Sequence, residues 1–132
     1  MSTPTRRSFI GALAAALASA WPQARAQPAT KAPQFIYVLR VASRFHEAAS
    51  WTEKENAVLG LNFNRLRKAT ESGQVILAGR STEPLDKTFG VVIFEAANEE
   101  AARLFMNGDP AVEAGIMTAT LHPYAVALLR KP

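Results

Sequence analysis

Short apolar blocks, separated by mixed and turn-rich stretches, organise the chain from Phe35 onward. The first, "FIYVLRVA" at 35–42, is dense in aromatic and β-branched residues, the composition of a buried strand. "SRFHEAAS" follows as a loop. Thr52 and Glu55 are spaced for a capping box and open a helix that runs to about Glu71. Along it Leu59, Phe63 and Leu66 recur at i, i+4 and i+7, predicting one buried stripe, and Gly73 stands just beyond as the stop. "VILAG" at 75–79 reads as a short strand and "STEPLDKT" as a polar connection. "GVVIFEA", Gly90 to Ala96, is a third strand with a continuous apolar run. Asn98 caps a second helix that carries Ala101, Leu104 and Phe105 on one face and ends near Gly108. After the corner "DPAVEAG", the segment "IMTATLHPYAVALL" reads as a long final strand, in which Pro123 marks an edge position, a bulge or a break.

The predicted order is β-α-β-β-α-β, the split pattern of ferredoxin-like α+β domains with a four-stranded antiparallel sheet. Two helices cover one face of such a sheet. The other face keeps enough apolar side chains to need a cover, and a second copy is the simplest one, so a homodimer is expected.

The chain before this pattern has a different character. "MSTPTRRSFIGALAAALASAWPQARA" pairs a charged start at Arg6 and Arg7 with an apolar run to Ala20 and a small-x-small pattern at Ala24-Arg25-Ala26. The run is too short and alanine-rich for a permanent membrane span. Adjacent arginines before Ser8, Phe9 and Ile10 resemble a bacterial twin-arginine export signal, with an ordinary Sec signal or a chance apolar N-terminus as the alternatives. The expected organisation is a signal peptide at 1–26, a flexible linker at 27–33 and one domain at 34–130. That domain would be periplasmic or secreted in a bacterium, with no stable membrane anchor after cleavage.

Removing this leader changes the charge. Of the 15 basic residues, Arg6, Arg7 and Arg25 lie in it and no acid does, so the domain carries 12 bases against 11 acids. A near-neutral domain argues against nucleic acid as a partner. The chain has 0 cysteines, which excludes disulfides, thiolate metal sites and cysteine nucleophiles. The two histidines, His46 and His122, are not at metal-ligand spacing, and no metal is expected. No glycine-rich phosphate loop and no Gly-x-Ser-x-Gly elbow is present, and no cofactor is expected.

The stretches "NFNRLRKATESGQVILAGR", "FGVVIFEAANEEAARLFMNGDPAVEAGIM" and "LHPYAVAL" together resemble the YciI-like (YCII-related) family, over about Phe35 to Leu129. The resemblance implies a ferredoxin-like fold paired into a dimeric α/β barrel. It also implies a His-Asp pair lining a pocket between helices and sheet. The aspartate of the "DP" corner falls on Asp109. The histidine, eleven residues before the stop glycine, falls on Asn62 in "NFNRL". A histidine takes and returns protons near neutral pH, whereas an asparagine amide only orients or polarises through hydrogen bonds.

Asp109 therefore has two readings: a turn and capping residue, or a pocket-facing group that shares its pocket with Asn62. Arg80, where the chain leaves "VILAG", could bind an anionic substrate group or be an ordinary exposed arginine. His46, in the loop after the first strand, could reach in to replace the missing histidine or be a solvated loop residue. His122, in the last strand, is a candidate proton carrier or a packing residue. Glu99 and Glu100 suit the first turn of the second helix. The functional expectation is an exported domain that binds an unknown small organic molecule in a pocket of a dimeric barrel. The resemblance would allow carboxylate-assisted proton transfer or elimination there. The alternative is a non-catalytic ligand-sensing or structural dimer module, favoured by asparagine at position 62.

Overall fold

The computed structural model describes Ser2 and residues 31–132. Apart from Ser2, the export segment expected at 1–26 lies outside the described residues, as does most of the lead-in at 27–33. Among those described, no helix is long and apolar enough to cross a membrane.

The elements follow in the order β1 (Gln34–Val41), α1 (Glu53–Glu71), β2 (Val75–Arg80), β3 (Phe89–Glu95), α2 (Glu99–Asn107), α3 (Pro110–Glu113) and β4 (Met117–Tyr124). The four strands form one sheet in the order β2-β3-β1-β4, with every neighbouring pair antiparallel. This is the expected α+β, ferredoxin-like arrangement. β1 sits between β3 and β4 and alternates in burial. Phe35, Tyr37, Leu39 and Val41 pack under the helices, and Ile36, Val38 and Arg40 face the other way. On the helix side Phe94, Val92 and Val75 join them with Ala69 of α1 and Ala102 and Met106 of α2. Phe94 anchors this core, edge-on to Tyr37 at 5.6 Å and close to Phe105 at 4.7 Å between ring centroids.

Local signals set most boundaries. Thr52 and Glu55 form the capping box reciprocally, and Asn98 accepts from the Ala101 N–H to start α2. Gly73 follows α1 at φ 88, a left-handed position that glycine occupies without a Cβ clash.

Four features depart from the sequence expectation. First, α2 ends near Gly108 without the left-handed residue common at a helix end, since the φ of Gly108 is −80. The stop is made one residue later, because Pro110 holds Asp109 extended and then opens α3 as its first residue. A Cβ at Gly108 would fit tightly, 3.1 Å from Arg65 Nη2 and 3.2 Å from the Leu104 carbonyl. Second, the corner contains a helical turn, α3. Third, β4 ends at Tyr124 rather than continuing to Leu129. Its partner β1 begins at Gln34, so the ladder has no strand left to pair with. The next tie is a single bond from the Val126 N–H to Gln34 Oε1 at 2.8 Å.

The fourth concerns α1. Phe63, expected in the buried stripe, is 65% exposed, while Leu59 and Leu66 are half-buried. The helix is rotated so that the polar residues Asn62 and Arg65 turn inward. Each finds a partner on the α2–α3 corner. That rotation builds the site.

Candidate functional site

Asp109 has no solvent-exposed surface. Such a burial is costly for a carboxylate unless its oxygens are satisfied. Oδ1 accepts from the Ala111 N–H at 2.9 Å and from Asn62 Nδ2 at 2.7 Å. Oδ2 accepts from the Tyr37 hydroxyl at 2.8 Å and again from Asn62 Nδ2 at 2.8 Å. Three elements thus meet on one side chain: β1 through Tyr37, α1 through Asn62, and α3 through the capped Ala111. Asp109 thus caps its own corner, and the same carboxylate also holds Asn62. Among the described residues the ion pair is Arg103–Glu99 on the surface of α2, so neutral donors hold Asp109.

Arg65 stands beside this cluster. Its guanidinium lies over the Phe105 ring, 4.3 Å from the centroid, and Nη2 donates to the Phe105 carbonyl at 2.8 Å. Nη1 is buried without a hydrogen-bond partner.

Tyr37 is fully buried. Burial pushes its phenol well above the ordinary 10.0, and the Asp109 carboxylate adds to the rise through its charge and its hydrogen bond. The Arg65 guanidinium offsets part of this. The raised value belongs to the folded state. Tyr37's contribution to stability is therefore fully present below pH 10 and is lost as pH rises above it. The unfolding free energy should accordingly fall steadily as pH rises above about 10, and Tyr37→Phe should flatten that fall. Urea titrations at stepped alkaline pH measure it, and an unchanged alkaline slope in Tyr37→Phe would exclude this phenol as the cause.

A cavity of about 640 Å³ lies between α1 and the helix-facing side of the sheet. That volume is in the range of small-molecule sites. Leu39, Leu66, Val92 and Met117 give it an apolar wall, and Phe63 contributes from α1. Asn62 is in this wall and Arg80 lines it from the end of β2. Asp109 is not in the wall. It lies behind Asn62 and reaches the cavity through that amide alone.

The other two candidates lie elsewhere. His46 uses Nε2–H to donate to the Val41 carbonyl at 3.0 Å, which fixes its tautomer and closes the turn after β1. His122 is exposed on β4 opposite Ile36, on the face away from the helices. Among the described residues, no group of three or more His, Cys, Asp or Glu gathers as a metal site would require.

A buried aspartate in the "DP" corner, tied to the α1 position eleven residues before the stop glycine, joins the two places the sequence resemblance singled out. The family model for the YCII-related domain matches residues 35–121. The chain belongs to the YCII-related family. No curated protein matches it.

Within this YCII-related domain the sequence reading missed two residues, Tyr37 and Arg65. Tyr37 alternates with Phe35 and Leu39, and a phenol on the buried face of a strand needs a partner for its hydroxyl. That requirement was a usable signal. Arg65 follows Asn62 by three positions and precedes the buried Ala69 by four, which places it on the inward side of α1. Phe63 and Leu66 masked that spacing by offering a more apolar stripe.

The chemistry open to the pair is limited. Four accepted bonds fill the acceptor capacity of a carboxylate, and the donor on the cavity side, Asn62 Nδ2, stands between Asp109 and the cavity. A general base needs a lone pair within reach of the proton it removes. Asp109 has none aimed at the cavity, and Asn62 does not titrate.

Proposed function

We propose that this YCII-related domain binds a small organic molecule, with an apolar body and an anionic end, in the cavity between α1 and the sheet. The cavity with Asn62 in its wall carries this reading. Its apolar lining suits a ring or chain, and the guanidinium of Arg80, joined by Arg67, suits a carboxylate or similar anion. Asp109 acts as a positioning residue that holds Asn62, and the domain works as a binding module rather than as an acid-base catalyst. The saturation of Asp109 favours this over proton transfer or elimination. We propose further that the domain pairs with a second copy through the open face of its sheet.

The test uses 2-naphthoate, a planar apolar anion of a size the cavity accommodates, on the protein from residue 27 onward. Ligand at about 100 times its Kd stabilises by about 2.7 kcal/mol, a clear rise in melting temperature. Arg80→Ala should weaken binding, and Leu66→Trp, which projects a larger ring into the cavity, should also weaken it while the far-ultraviolet dichroism is kept. Undiminished binding in Leu66→Trp would place the ligand elsewhere. No binding to the wild type would overturn the reading for apolar anions.

A further inference from the structure

The polar residues of the cavity wall differ in depth: Asn62 is half-buried and Thr88 buried, whereas Arg67, Thr70, Glu71 and Arg80 are exposed. Asn62 directs Nδ2 at both Asp109 oxygens, at 2.7 and 2.8 Å. The reverse orientation would set the amide oxygen against two carboxylate oxygens at that distance, so Asp109 enforces the one seen. Oδ1 has no protein donor, yet it is not among the buried atoms left without a partner. It is therefore the open polar atom of a half-buried residue that lines the cavity.

The two threonines of the wall follow the same pattern. Thr70 donates its hydroxyl proton to the Leu66 carbonyl at 2.8 Å. Thr88, itself buried, donates to the carbonyls of Glu83 at 2.6 Å and Pro84 at 3.0 Å. Each uses its only hydroxyl proton on the backbone and keeps oxygen lone pairs. The positive donors of the wall, Arg67 and Arg80, are both on exposed residues.

We infer that the inner wall of the cavity is an acceptor surface centred on Asn62 Oδ1, and that its ligand carries a hydroxyl or N–H donor on the apolar body. A phenol, an enol or an amide N–H meets this requirement, and the matching ether or ester does not. This inference rests on the ligand-binding reading above and adds the polarity of the contact. A site built to accept a hydrogen bond rejects the analogue without the donor, because its acceptor is then desolvated and unpaired. Asp109 contributes specificity without touching the ligand.

The experiment compares 2-naphthol with 2-methoxynaphthalene, which differ by the donor, using fluorescence titration and calorimetry. 2-Naphthol should bind wild type about tenfold more tightly than the ether, after correction for their octanol partitioning. In Asn62→Leu that preference should vanish while both probes still bind. In Asp109→Asn the Asn62 amide is free to turn over, and the preference should shrink there too, a change that a merely structural role for Asp109 would not produce. If Asn62→Leu does not fold, the wild-type ratio and Asp109→Asn decide. Equal affinities in wild type would overturn the acceptor wall and leave the cavity reading intact. A tenfold preference that survives in Asn62→Leu would remove Asn62 from the role. Failure of both probes to bind a protein that still binds 2-naphthoate would overturn the acceptor wall alone, and failure of all three would overturn both readings.

Discussion

Asp109→Ala is expected to lower the unfolding free energy by about 3–5 kcal/mol, as for removal of one partner from a buried polar network. The substitution takes the acceptor away from three donors at once: the Tyr37 hydroxyl, Asn62 Nδ2 and the Ala111 N–H. Tyr37 is fully buried and its hydroxyl has no other acceptor in hydrogen-bond range among the described residues. An unpaired buried donor costs about 1–3 kcal/mol, and loss of a helix cap adds about 1. The gain from no longer burying a carboxylate offsets part of this. Asp109→Asn is the informative companion. It keeps one oxygen, which can still cap Ala111, and it is expected to lose only about 1 kcal/mol. Urea unfolding followed by far-ultraviolet dichroism measures both. A loss below 1 kcal/mol in Asp109→Ala would mean that water or a side-chain shift satisfies the three donors, and the corner would then be held by Pro110 and Gly115.

The same cluster marks where the sequence was readable and where it was not. The strands were legible because each apolar block is bounded by residues that cannot continue it. The start of α1 was legible because Thr52 and Glu55 act within one turn. The antiparallel order followed from the element sequence, and the sheet order β2-β3-β1-β4 is the one that such a split pattern adopts. The rotation of α1 was not legible. Hydrophobic spacing placed Phe63 inside, but the helix instead turns Asn62 toward Asp109, 47 positions later, and Arg65 toward Phe105, 40 positions later. A stripe counted along one helix holds no information about partners that far away. Tyr37 shows the same limit, since its acceptor is 72 residues distant. The end of β4 depended on where β1 begins, which is again a tertiary fact. His46 and His122 drew attention as titratable residues, and their positions show why type alone is a weak guide. One closes a turn and the other lies on the opposite face of the sheet from the cavity.

Val38→Lys is expected to convert a dimer into a monomer at micromolar concentration while leaving the fold in place. The open face of the sheet carries Val38 directly opposite Val91, and Ile36 opposite Ile93, across the central β1–β3 pair. Phe89 extends this surface at 37% exposed, with the Arg40 guanidinium 5.6 Å from its ring centroid. Among the described residues no helix is left to cover these side chains, because α1 and α2 pack their buried residues into the core on the other side. A near-neutral domain offers nothing to a polyanion, and an apolar face of limited charge is self-complementary about a two-fold axis, so a second copy is the proposed cover. In the monomer a lysine at position 38 points to water and disturbs little. In the pair its ammonium would be drawn into an apolar interface, near its own symmetry mate, and the penalty of several kcal/mol exceeds what a small interface can absorb. Light scattering coupled to size exclusion gives the mass of each protein, and dichroism checks that the sheet and helices persist. Wild type eluting with a monomer mass would overturn the pairing, and a dimer mass retained in Val38→Lys would move the interface off this face.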